Sequence, residues 1–177
     1  MKLVILDRDG TINHDSDQFI KSPAEWKPIK GSLEAIARLA QDGWHVAVAT
    51  NQSGIARGLF DMATLNAIHD AMHQAVHRAG GRIDAVFFCP HADASHCECR
   101  KPRPGMLLEI ARRMNAELAE VPMVGDALRD LQAAAAAGAR PVLVLTGKGR
   151  QTRDAGGLPA GTAVFADLAA FAAHLAP

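Results

Sequence analysis

The chain has 177 residues, enough for one domain that buries a core of its own. Hydrophobic residues make up 49% and charged residues 21%, the balance of a globular chain rather than a disordered or fibrous one. Lys+Arg and Asp+Glu stand at 19 each, which excludes a general nucleic-acid or membrane-binding surface while leaving room for a local basic pocket.

In chain order, "KLVILD" (2–7) is the first of several short, continuously apolar runs of the kind buried parallel strands show. "GSLEAIARLAQDG" (31–43) follows as a helix, with Ser32 as its expected N-cap and Gly43 past its end. A second strand is expected at "WHVAVAT" (44–50), then a long amphipathic helix over 61–81 closed by glycines. "AVFFC" (85–89) predicts a third strand and "RPGMLLEIARRMNAEL" (103–118) a helix. The same alternation continues with "VPMVGD" (121–126), "ALRDLQAAAAAG" (127–138) and "RPVLVL" (140–145). "TGKGR" (146–150) reads as a loop, and a weak strand at 162–166 and a helix over 167–176 end the chain. Strand–helix alternation on this scale predicts an α/β fold, a three-layer, Rossmann-like parallel sheet with helices on both faces, in a single domain over 1–177. The chain opens on a strand with no charged leader before it and holds no apolar span near 20 residues, which predicts a cytoplasmic protein.

The reactive residues fall at strand ends. "LVILDRDGTIN" (3–13) stops an apolar run at Asp7 and Asp9, with Gly10 able to turn both acids towards one point. Two acids held close repel unless a cation or a shared proton lies between them. Thr50 and Asn51, Cys89 and Asp126 end three further strands, and in open α/β sheets the carboxyl ends of the strands form the ligand crevice. Asp7, Asp9 and Asp126 make an oxygen donor set suited to Mg2+. Thr50, Asn51 and Lys101 suit the oxygens of a phosphoryl group, and one aspartate can attack phosphorus while another exchanges the proton.

"DRDGT", "VAVATN", Lys101 ahead of a helix and "VGDALRD" resemble the four motifs of the haloacid dehalogenase (HAD) superfamily of phosphatases. "TNQSGIARG", "CPH" and "CRKPRPGM" narrow the resemblance to the D,D-heptose 1,7-bisphosphate 7-phosphatases over nearly the whole chain. That resemblance implies a Mg2+-dependent phosphatase with Asp7 as nucleophile and Asp9 as general acid and base. Asp7, the Asp9 carbonyl and Asp126 would hold the metal. Thr50 and Lys101 would stabilise the phosphoryl group, and Asn51, Gln52 and Ser53 would contact substrate. Asp15, Ser16, Asp17 and Gln18 would line the sugar, and Arg100 would meet a second phosphate through its guanidinium fork. Asp130 would orient Lys101 or a metal-bound water. Ala127 stands where such relatives often carry lysine. The implied product, heptose 1-phosphate, feeds nucleotide-activated heptose for the lipopolysaccharide core or a related glycan.

Cys89, His91, Cys97 and Cys99 form a Cys3His set, a tetrahedral complement for structural Zn2+ with no position left open. His96 competes as fourth ligand, and the resemblance favours His91. About thirty residues between Gly10 and the second strand are too few for a cap domain, so an essentially capless site is expected. His69, His73 and His77 recur at helical spacing and read as a solvated stripe. Two readings compete with the sugar bisphosphatase: a histidinol-phosphate phosphatase with a similar zinc loop, and a zinc-stabilised binding domain without turnover. A polynucleotide 3′-phosphatase is more distant, since basic and aromatic residues do not interleave here. A small-molecule partner and a monomer are expected.

Overall fold

The computed structural model describes residues 1–176. Strands β1 (Leu3–Leu6), β2 (His45–Asn51), β3 (Ala85–Cys89), β4 (Pro122–Gly125), β5 (Arg140–Val144) and β6 (Ala163–Phe165) form one sheet, every pair parallel, in the order β3-β2-β1-β4-β5-β6. The apolar runs are continuous because the sheet is covered on both faces, and β1 and β4 are buried at every position.

Helices α1 (Ser32–Gln41), α2 (Met62–Arg78) and α6 (Leu168–Leu175) cover one face, packing Ile36, Leu39, Ile68, Met72 and Phe171 against Val4, Leu6, Val46, Val48 and Val124. On the other face α3 (Gly105–Met114) and α4 (Leu128–Ala137) set Leu107, Ile110, Ala133 and Ala134 against Leu3, Ile5, Ala47 and Met123. The alternation of side chains along each strand sends successive apolar residues to the two cores. Among the described residues no helix is long and apolar enough to cross a membrane.

Two local expectations change. Ser32 is not the cap of α1: Gly31 holds that place with φ +87°, and the Ser32 hydroxyl donates to the Thr11 carbonyl at 2.9 Å. A buried carbonyl without a ladder partner outcompetes the helix end for that hydroxyl. Asp61 and Asp167 do act as caps, accepting from the Thr64 and Ala170 amides at 2.8 Å each. The stretch 146–150 is only half a loop, because a further helix, α5 (Gly149–Ala155), begins inside it without a side-chain cap to announce it. Between Gly10 and β2 the chain forms a 3-10 turn at Pro23–Glu25, isolated bridges at Asn13 and α1, which is no cap domain.

Candidate active site

β1 and β4 are neighbours from which the chain departs in opposite directions, and the crevice of such a sheet opens there. Asp7 follows β1 and Asp126 follows β4 through Gly125, with the Asp7 amide donating to the Val124 carbonyl at 2.8 Å. Carboxylate oxygens of Asp7, Asp126 and Asp130 all lie within 4.8 Å of one another, and all three residues are buried. Gly10 (φ +84°) and Gly147 (φ +53°) pass so close to this group that a Cβ on either would overlap the Asp126 carboxylate.

Lys101, 1% exposed, reaches this group from the loop ahead of α3. Its Nζ lies 2.9 Å from Asp7 Oδ1, 2.7 Å from Asp130 Oδ1 and 2.6 Å from the Ala49 carbonyl. Both ends of the Asn51 amide are spent on the Lys101 backbone, the amide donating to its carbonyl and accepting from its N–H at 3.0 Å each. Asn51 therefore holds Lys101 in place, while still lining the cavity. Burial pushes Asp7 well above the ordinary carboxylate range, and the neighbouring charge of Asp130 adds to it. Asp126 is raised to about 7 by burial and then by Asp130. Burial opposes the charge on Lys101, but Asp130 and Asp7 overcome it and raise its pKa. One ammonium among three carboxylates leaves negative charge uncompensated, which is the electrostatic signature of a cation site. Oxygen donors at this spacing fit Mg2+.

Asp9 differs from its neighbours. Burial would raise it, but the Arg8 charge and hydrogen bonds from Asn13, Arg8 and Gln52 hold it below the usual value. Gln52 also donates to the Thr50 hydroxyl at 2.9 Å, tying two of the sequence-predicted residues together.

Above the carboxylates lies a cavity of about 230 Å3. Its lining includes Asp7, Asp9, Asp15, Ser16, Asp17, Thr50, Asn51, Gln52, Ser53, Arg100 and Lys101, all expected from the sequence. Gln18 lies outside the lining, exposed, with its carbonyl bonded to Lys21. Among the described residues, Arg100 places a buried Nη1 without a hydrogen-bond partner beside the cavity, and its ionic neighbour is the exposed Asp93 at 3.7 Å.

The cysteines and histidine also converge. Cys89, Cys97 and Cys99 Sγ atoms stand 3.1–3.6 Å apart, and His91 Nδ1 lies 3.5 Å from Cys89 Sγ and 3.3 Å from Cys99 Sγ. Ligand atoms about 2.3 Å from a tetrahedral zinc would stand roughly 3.7 Å apart, so this cluster has the size of such a site. His96 is exposed, with a left-handed backbone, and is not among the clustered donors, while Arg103 bonds its carbonyl and that of Cys97.

The HAD-hydrolase-like family model matches residues 98–171. A D-glycero-β-D-manno-heptose-1,7-bisphosphate 7-phosphatase of Bordetella bronchiseptica is 63% identical over 99% of this chain and 98% of its own length. The enzyme of the same name from Pseudomonas putida is 54% identical, over 99% of each chain. The crystal structure of D,D-heptose 1,7-bisphosphate phosphatase from B. bronchiseptica, complexed with magnesium and phosphate, superimposes with a TM-score of 0.98, covering 99% of this chain and 98% of that one at 63% identity. The chain belongs to this phosphatase family. Its sheet is the HAD-like fold, and its class is that of the phosphoric monoester hydrolases.

Five side chains have a part in or beneath the site that the sequence reading did not give them. Arg57, Arg129 and Lys148 line the cavity. The Lys148 amide donates to Asp126 Oδ2 at 2.8 Å, and its Nζ stands 3.4 Å from Asp15. Arg129 places positive charge beside Asp126, and Lys148 carries its own towards Asp15. "LRD" and "TGKG" gave a weak signal for both, since each lies within a few residues of a strand end. Arg8 and His69 were hidden by their context: Arg8 is fully buried, and His69 is not part of a solvated stripe but packs inward, 8% exposed, while His73 and His77 stay exposed. A helix face that looks polar by spacing turns inward here because Arg8 supplies a buried hydrogen-bond partner.

The close approach of Gly10 to Asp126 makes a direct prediction. Gly10→Ala combines a strained positive φ with an overlap on the carboxylate, so unfolding stability should fall by roughly 1–3 kcal/mol and turnover with it. Chemical denaturation and phosphate-release assays check this, and a variant as stable and active as wild type would show that the gap is not needed.

Proposed function

We propose that this chain hydrolyses the C7 phosphate of D-glycero-β-D-manno-heptose 1,7-bisphosphate to heptose 1-phosphate, through an aspartyl-phosphate on Asp7. The observation that carries it is the buried Asp7–Lys101–Asp130 chain beside Asp126, at the floor of a cavity with a basic rim. The names of the relatives supply the substrate and its anomer. In the first step an Asp7 oxygen attacks phosphorus, the bond from phosphorus to the C7 oxygen breaks, and that oxygen takes the proton that Asp9 has accepted from the bound phosphate monoanion. In the second, Asp9 takes a proton from water as the water attacks phosphorus and the bond to Asp7 breaks. Lys101 and the Thr50 hydroxyl face the charge that develops on the phosphoryl oxygens, and Asn51 and Asp130 keep Lys101 in place. Arg100, with its unpartnered Nη1, takes the phosphate at C1.

Asp7, Asp126 and the Asp9 carbonyl would hold Mg2+. Bound there, it would supply the positive charge that three carboxylates and one lysine lack, and neutralise phosphoryl oxygens during transfer. Cys89, His91, Cys97 and Cys99 would hold a structural Zn2+ that pins the loop carrying Arg100 and Lys101.

Steady-state phosphate release with Mg2+ present should show kcat/KM for the β-bisphosphate at least about tenfold above the α-anomer and histidinol phosphate. Preference for histidinol phosphate would overturn the substrate reading. Asp7→Asn should lower kcat by about a thousandfold or more, and normal turnover would overturn the nucleophile.

Without the cation, Asp126 and Asp7 keep protons in the folded chain that the unfolded chain has released. The metal-free protein should therefore lose stability as pH rises from about 4 to about 7. Mg2+ replaces those protons, so its effect on Tm should be larger near pH 7.5 than near pH 5. Equal shifts at both values would count against a cation on this carboxylate group.

Elemental analysis should find one zinc per chain, lost in the Cys97→Ser, Cys99→Ser double variant along with several degrees of Tm. Zinc retained in full by the double variant would show that the cluster is not the site.

A further inference from the structure

Arg8 is one of the largest side chains wholly withdrawn from solvent, and the Asp7–Asp9 chemistry leaves it without a task. Its guanidinium lies side-on to Asp9, with Nε 2.9 Å from Oδ1 and Nη2 3.3 Å from Oδ2. The remaining amine, Nη1, lies 3.1 Å from His69 Nε2 on α2, 61 residues along the chain. A guanidinium can only donate, so Nε2 must accept, and the ring is neutral with its proton on Nδ1. Burial and the adjacent Arg8 charge push His69 down to about 3, in keeping with that tautomer. From the other side Asn13 donates to Asp9 Oδ1 at 2.9 Å and Gln52 to Oδ2 at 3.1 Å.

The four contacts are not equal. Both donors on Oδ1 stand at 2.9 Å, whereas those on Oδ2 stand at 3.1 and 3.3 Å, and Gln52 divides its amide between Asp9 and Thr50. We propose that Arg8, braced by His69, is a positioning residue that holds Asp9 through both oxygens, more closely at Oδ1, so that the more loosely held Oδ2 is the one that exchanges the proton. The proton on Oδ2 passes to the leaving oxygen as its bond to phosphorus breaks, and the proton of the attacking water returns to Oδ2. His69 contributes direction: without an acceptor behind Nη1 the fork is free to tilt, and the carboxylate tilts with it. The inference rests on Asp9 as the proton-exchanging group.

The test compares kcat/KM, which covers the steps up to departure of the leaving group, for the heptose bisphosphate and for p-nitrophenyl phosphate, whose leaving group departs without a proton. His69→Leu removes the acceptor and should lower kcat/KM for the sugar substrate by about tenfold or more, with a clearly smaller loss for p-nitrophenyl phosphate. His69→Gln, which can still accept from Nη1, should recover most of the loss. Where His69→Leu does not fold by thermal melting, Arg8→Lys, which keeps the charge but not the fork, reads the same ratio. Equal losses on both substrates, or none on either, would overturn the proposal. Asp9→Asn separates the two levels: full turnover by that variant removes the reading of Asp9 itself, whereas an inactive Asp9→Asn beside a wild-type His69→Leu removes only the brace.

Discussion

One buried ammonium holds the site together. Lys101 Nζ touches a carboxylate at the end of β1, another on the first turn of α4 and a carbonyl of β2, so three elements meet on one side chain. Taking such charges out of water costs several kcal/mol per ion, recovered only where each donor and acceptor finds a partner. The surroundings follow from that requirement. Asp130 Oδ2 accepts from the Ala127 amide at 3.1 Å, Asp126 Oδ2 accepts from the Lys148 amide, and Asp7 Oδ1 accepts from the Arg8 amide at 2.8 Å. Gly125 lacks the Cβ that would strike Asp130, as Gly10 and Gly147 lack one that would strike Asp126. Even so the carboxylates outnumber the lysine, and burial first, then the excess of negative charge, raises the pKa values of Asp7 and Asp126.

The fold was legible in the sequence because every strand of a sheet covered on both faces is written as an apolar run, and each helix as a stripe at helical spacing. Convergence of Asp7, Thr50, Lys101 and Asp126 was legible too, since parallel strands all end on one side. What escaped notice depended on partners far along the chain. Ser32 looks like a cap until Thr11 offers it a carbonyl. His69 looks like part of a wet stripe until Arg8 is found beneath it. Asn51 looks like a phosphate ligand, while its amide is occupied by the Lys101 backbone 50 residues away. Side-chain hydrogen bonds between distant residues carry no periodicity, so spacing cannot disclose them.

The cysteine cluster acts on the same lysine from outside. Cys89 ends β3, whereas Cys97 and Cys99 lead directly into Arg100 and Lys101. A zinc held by those four atoms would fix where the loop returns to the sheet, and Asn51, one strand inward and paired with Cys89 in register, clamps the Lys101 backbone. The loop has no strand or long helix of its own to do this, only a single 3-10 turn at Asp93–Ser95. A zinc cross-link through these side chains would substitute for the missing secondary structure.

Burial also sorts the cations into two kinds. Arg8 and Lys101 are withdrawn from solvent and committed to Asp9 and to Asp7 with Asp130, and neither can change partners without leaving an unpaired buried charge. Arg100 and Lys148 sit at the cavity margin with loose partners, Asp93 at 3.7 Å, Asp15 at 3.4 Å and Asp17 at 4.0 Å. Exposed pairs of that kind are worth about 0–1 kcal/mol, so an incoming phosphate can take the cation at almost no cost. The inner set is thus bound to keep one geometry, as bond-making at phosphorus requires, and the outer set is free to be rearranged by a ligand. With no cap domain over the cavity, discrimination among phosphate esters falls to these marginal cations and to the short loop around Asp15.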